Sequence, residues 1–185
     1  MSLEEAVEFS SKLLSLTKDD EVTFDFSGMT HFEPLPMLVI GSVVRRYRSN
    51  NSEASFKFSG CDSCGKHHYA GVMGFFKYVS PHIEIGKMPG EAKGSKNYIP
   101  ITLIEADKLQ RTEYDKYNFI DIRKIIVKEA KRLSSILDRG NIEFHKLLTY
   151  LICEILRNIP EHADTNKMWI CKQLGGDFCI ISYVD

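Results

Sequence analysis

No stretch of this chain approaches the ~18 uninterrupted apolar residues that a membrane span requires, so no membrane role is expected. Charge of one sign is also scarce. A formal net charge of −1 and a pI near 6.6 argue against a dedicated nucleic-acid binder, which carries a strongly basic footprint. The first residues, Met-Ser-Leu followed by acidic side chains, lack the basic and apolar segments of a signal peptide, and a cytoplasmic address is the default expectation. The five cysteines are odd in number and suggest no disulfide framework. Cys153, Cys171 and Cys179 lie inside apolar runs and read as small buried hydrophobes. There is no internal repeat.

What is present is the alternation of an α/β (α+β) chain. Residues 4–16 place Val7, Leu13 and Leu14 on one helical face. Residues 21–26 alternate Val22, Phe24 and Phe26 with polar neighbours, as a strand does. Pro34 and Pro36 open an apolar helix over 35–44, a strand follows at 54–58, and a helix is predicted over 67–79. Strands joined through helices favour a parallel or mixed sheet. The arginines at 45, 46 and 48 fall at the end of a helix, where cations complement the helix dipole and are usually just solvated.

Residues 86–97 hold three glycines, three lysines and one proline with almost nothing to bury, and read as a linker or mobile loop. They divide the chain into a small α/β domain over 1–85 and a second unit over 98–185. In the second unit, Pro100 marks 98–104 as an edge strand or connecting arm. A helix over 120–138 carries Ile122, Ile126, Ala130, Leu133 and Leu137 at helical spacing and ends at Gly140. Another runs over 142–162. Strands at 168–174 and 177–184 flank Gly175-Gly176, a hairpin signal.

The chemistry-bearing residues lie on the 142–162 helix. At about 100° per residue, Leu147, Leu148, Leu151, Ile152, Ile155 and Ile159 make one face expected to pack on a sheet. Glu154, Asn158 and His162, four apart, form a stripe. Asn158 projects between Leu147 and Leu151, inside the apolar arc, where an amide must find partners or cost a few kcal/mol. Pro160 removes a helical hydrogen bond and implies a kink or a nearby end.

Glu154-x-x-x-Asn158, with His162 four later, resembles the N-box of the GHKL (Bergerat-fold) ATP-binding superfamily of gyrase and the histidine kinases. The run EILRNIPEHA is most similar to the serine kinases that act as anti-sigma factors. The resemblance implies that Asn158 holds Mg²⁺ against the triphosphate, that Glu154 is the general base, and that His162 lies near the phosphate or ribose end. It also implies that Asp185, ending the last strand, recognises the adenine amino group. These residue types suit such chemistry, since Mg²⁺ takes oxygen ligands and keeps several waters, and a carboxylate one turn away can polarise a nucleophile. The glycines, lid and glycine box that follow that aspartate in the family lie outside this sequence, so the expectation is half of a nucleotide site, with little turnover of ATP. Residues 22–48 resemble the middle of a STAS domain, with Glu33-Pro34-Leu35-Pro36 where that family carries its phosphorylated serine. The fold expected is therefore a small STAS-like α/β domain with a mixed sheet, followed by the N-terminal part of a GHKL α/β sandwich of two long helices and a β-hairpin.

The function expected is an ATP-binding, Mg²⁺-dependent signalling regulator acting on a protein partner, with a homodimer left open. One alternative is a non-catalytic interaction module that docks through 120–162. Another is a metal or redox protein built on Cys61 and Cys64 with His67 and His68 nearby. One C-x-x-C supplies two ligands, and structural zinc sites show a second spaced pair. Met73-Gly74-Phe75-Phe76 reads as core. On the ordinary-loop reading of Cys61 and Cys64, elemental analysis of purified protein is expected to find far less than one zinc per chain; a stoichiometric ion would favour the metal alternative.

Overall fold

A computed structural model describes residues 2–16, 21–29, 31–61, 68–95, 97–105, 122–136, 140–162, 167–175 and 178–184, and for 105, 122–125, 158–162, 167, 174–175 and 178–184 only the backbone. Helix α1 (Leu3–Ser15) starts on a capping box, in which Ser2 and Glu5 exchange side-chain and backbone hydrogen bonds. This satisfies two donors that a helix start leaves open. Strand β1 (Glu21–Asp25) buries Val22 and Phe24 and exposes the residues between. Helix α2 (Pro34–Asn50) has proline in its first turn, where the missing N–H costs nothing. It leads to β2 (Ser55–Ser59), which pairs in parallel with β1. Among the described residues the first sheet is this parallel pair. Its C-terminal ends are joined by Asp25, whose carboxylate accepts from Ser27 N at 3.0 Å, Ser27 Oγ at 2.8 Å and Ser59 Oγ at 3.0 Å. These donors hold the carboxyl below its usual pKa.

The helix predicted over 67–79 is two helices, α3 (His68–Met73) and α4 (Phe75–Val79). Gly74 separates them at φ +83°, a left-handed conformation that only glycine adopts freely. The break turns Phe75 and Phe76 fully into the core, edge-on to Phe26.

The glycine-rich segment after α4 is tied on at two points. Lys87 N donates to Gly71 O at 2.9 Å, and Gly90 N donates to Ile101 O at 2.8 Å.

The second sheet has the order β3-β4-β5, antiparallel throughout: β3 (Tyr98–Glu105), β4 (Lys167–Gly175) and β5 (Phe178–Val184). The register of β3 slips between Ile99 and Thr102, beside Pro100, as a proline on an edge strand permits. The slip switches the faces: Ile99 joins one core and Ile101 the other. Helices α5 (Ile122–Ile136) and α6 (Ile142–His162) cover one face of the sheet. Asn141 Oδ1 caps α6 by accepting from the N–H groups of Glu143 and Phe144, and Ser134 and Thr149 join the two helices through a 2.7 Å hydroxyl pair.

The opposite face of the sheet is covered as well. Ile101 and Cys171 belong to the same apolar interior as Phe24, Met37, Ile40 and Tyr78. Tyr69 Oη donates to Gln173 Oε1 at 2.8 Å, and the thiol of Cys171 donates to Pro34 O at 3.3 Å. The α/β class is thus observed, with β3 and β4 contributing to an apolar interior on either face of the second sheet. Among the described residues no helix is long and apolar enough to cross a membrane.

Gly41 on α2 lies directly against the ring of Tyr78, and a β-carbon there would overlap its Cδ1 and Cε1. In an open helix Gly→Ala gains about 0.5–1 kcal/mol. Here Gly41→Ala is expected to lose about 1–3 kcal/mol to overpacking and to lower the melting temperature by several degrees. Circular dichroism melts check the sign, and a rise in Tm would contradict the packing described.

Candidate functional site

Helix α6 runs unbroken from Ile142 to His162 with Pro160 inside it, so positions 154, 158 and 162 fall on successive turns. Glu154 is 41% exposed and accepts a 3.0 Å ion pair from Arg157, three residues on. Such an exposed i,i+3 pair is worth a few tenths of a kcal/mol, which leaves the carboxylate available to water and ligands. The side chains of Asn158 and His162 lie outside the described residues, as does Asp185 entirely. Strand β5 ends at Val184, paired with Trp169.

The packed face of α6 differs from the one predicted. Leu148, Ile152, Cys153 and Leu156 are buried, whereas Leu147 and Leu151 are 56% and 45% exposed. The apolar arc on this helix is wider than the surface covering it, because α5 and β4 meet only the side centred on Ile152. Position 158 lies about 20° from both Leu147 and Leu151 in helical phase; the conflict inferred between its amide and an apolar interior falls on a side chain outside the described residues. Glu154, Leu147 and Leu151 together define one accessible face of the helix.

Lys172 belongs to no motif in the sequence. It is 1% exposed, on the face of β4 that Met168 and Ile170 direct towards α5 and α6, among Ile152, Ile155 and Leu156. The period-2 alternation of the strand was the available signal.

The arginine run is not simply solvated. Arg45 lies 5.1 Å from the centroid of Tyr78 and 4.9 Å from that of Trp169, and it donates to Tyr78 O at 3.3 Å. Arg48 donates to Val79 O at 3.1 Å and sits 5.5 Å from both Phe56 and Phe58. Both guanidinium groups thus answer the carbonyl end of α4. Arg45 also links α2 to β4, on the residue that pairs with Val184.

Of the cysteine–histidine group, Cys61 is buried with its thiol 3.8 Å from Ser59 O, and His68 is exposed at the start of α3. Cys64 and His67 lie outside the described residues. Cys153 and Cys171 are buried as read, and burial raises both thiol pKa values. Cys179 is described by its backbone alone.

No family model, curated protein or solved structure matches this chain.

Arg45→Ala removes the cation seated over two touching rings, an interaction of roughly 0.5–2 kcal/mol. It is expected to red-shift the emission of Trp169, the sole tryptophan, and to lower the urea midpoint. An unchanged spectrum and midpoint would show that the ring–cation stack contributes nothing in solution.

Proposed function

We propose that this chain belongs to an ATP-binding signalling protein in which a STAS-like segment (1–85) is joined to the N-terminal part of a GHKL domain (98–185). The observation that carries the reading is the stripe on α6: an accessible carboxylate at 154 with an asparagine one turn on, followed by an antiparallel hairpin that ends just before Asp185. Asn158 supplies an amide oxygen to Mg²⁺ on the triphosphate. Glu154 leaves Arg157 and accepts the proton of the attacking water or protein hydroxyl. His162 borders the phosphates or ribose, and Asp185 accepts from the adenine amino group. ATP then acts by stabilising one arrangement of the parts over another.

A second reading has its own support. Leu147, Tyr150 and Leu151 are 45–61% exposed on the same face of α6, which suits an interaction helix that docks a partner or a second copy. The two readings separate experimentally.

In the full-length protein, Asn158→Ala is expected to weaken Mg²⁺-dependent ATP binding at least tenfold. Glu154→Ala is expected to retain binding and to slow phosphoryl transfer or hydrolysis by about 10²–10⁴-fold, the usual contribution of a general base. Calorimetric titration and a turnover assay check the pair. Unaltered binding and turnover in both variants would end the nucleotide reading, and loss of self-association or partner capture in Leu147→Lys and Leu151→Lys would then favour the interaction helix.

A further inference from the structure

The open side of α6 is complementary to itself. Leu147, Tyr150 and Leu151 make an exposed apolar centre. Charged pairs stand before and after it: Lys146 on Glu143 at 3.0 Å, and Arg157 on Glu154 at 3.0 Å. At about 100° per residue these side chains share one sector of about 140°, turned away from the buried Ile152.

Along the helix the signs run minus, plus, apolar, minus, plus. Counted from Tyr150, Lys146 and Glu154 stand four residues away in opposite directions, and Glu143 and Arg157 seven away. Charge is therefore inverted about Tyr150. A second copy laid antiparallel, with Tyr150 on the two-fold axis, sets Lys146 against Glu154 of the other copy and Glu143 against its Arg157. Each pair within one helix then meets the inverted pair in the other, which makes two clusters of four alternating charges around an apolar middle. A parallel arrangement would set every one of these charges against its like. An antiparallel slip of three residues would oppose Glu143 to Glu154. Charges around an interface fix partner and register more than they add affinity, and like charges exclude the alternatives. One patch meeting itself across a two-fold axis closes as a dimer.

We propose that α6 is a self-recognition helix, on which two copies of this chain pair antiparallel across Leu147, Tyr150 and Leu151, with Lys146–Glu154 and Glu143–Arg157 ion pairs between the copies. The inference rests on the interaction-helix reading of α6 and names its partner. One helix pair buries less than a standard interface, so the dissociation constant is expected on the order of 10 µM.

Sedimentation velocity of the 185-residue chain without nucleotide tests this, up to roughly ten times that concentration. Wild type is expected to pass from monomer to dimer as concentration rises. Lys146→Glu and Glu154→Lys are each expected to weaken pairing by about tenfold or more, because each sets like charges across both symmetric contacts. An equimolar mixture of the two variants is expected to regain wild-type pairing, since each supplies the charge the other has lost. If either variant does not fold, Glu143→Lys mixed with Arg157→Glu asks the same question. Wild type that stays monomeric overturns the proposal, as do single variants that pair like wild type or a mixture no stronger than its components. Tighter pairing of Lys146→Glu with wild type than of wild type with itself also overturns it, in favour of a parallel pair. The interaction-helix reading itself is decided separately, by partner capture in Leu147→Lys and Leu151→Lys, and the nucleotide reading by titration of Asn158→Ala.

Discussion

The structure depends on β4 being buried on both faces. A central antiparallel strand sandwiched between helical layers must be apolar on either side, and this one supplies Met168 and Ile170 to the α5–α6 side and Trp169 and Cys171 to the α2 side. Because the strand is rigid and hydrogen-bonded to both neighbours, the two layers are held through it. Arg45 over Tyr78 and Trp169, Tyr69 on Gln173 and Cys171 on Pro34 all attach the first half of the chain to this one element.

The elements themselves were largely legible. The proline-led start of α2, the hairpin, and the long helix over 142–162 followed from local chemistry: fixed φ, glycine turns and helical spacing. Three features were not. The break at Gly74 looks like any glycine in a helical pattern until Phe75 and Phe76 are seen to need a new direction. Residues 86–95 bury so few side chains that their composition suggests slack, yet their backbone amides are spent on Gly71 and Ile101. And the packed side of α6 could not be fixed from its own sequence, because six apolar residues spread over a broad arc do not state which of them a neighbouring element will cover.

That last point bears on the candidate site. Spacing alone put Glu154, Asn158 and His162 on successive turns, and the helix bears out the spacing. The direction of the stripe needed tertiary information: with Leu148, Ile152 and Leu156 inside, the sector holding Glu154 opens outward. An exposed carboxylate needs no internal partner. Lys172 shows the reverse case, a charge in the strand alternation that composition hides and burial reveals.

The bonds that reach β4 from the first half span very large sequence separations: 104 residues for Tyr69 to Gln173 and 137 for Cys171 to Pro34. A ribosome delivers the chain from its N-terminus at about 5–20 residues per second. The flank of α2 that meets Cys171 and Trp169 therefore waits several seconds, uncovered, before its mate exists. During biosynthesis that flank is apolar surface without its cover, and substitutions in β4 prolong this interval.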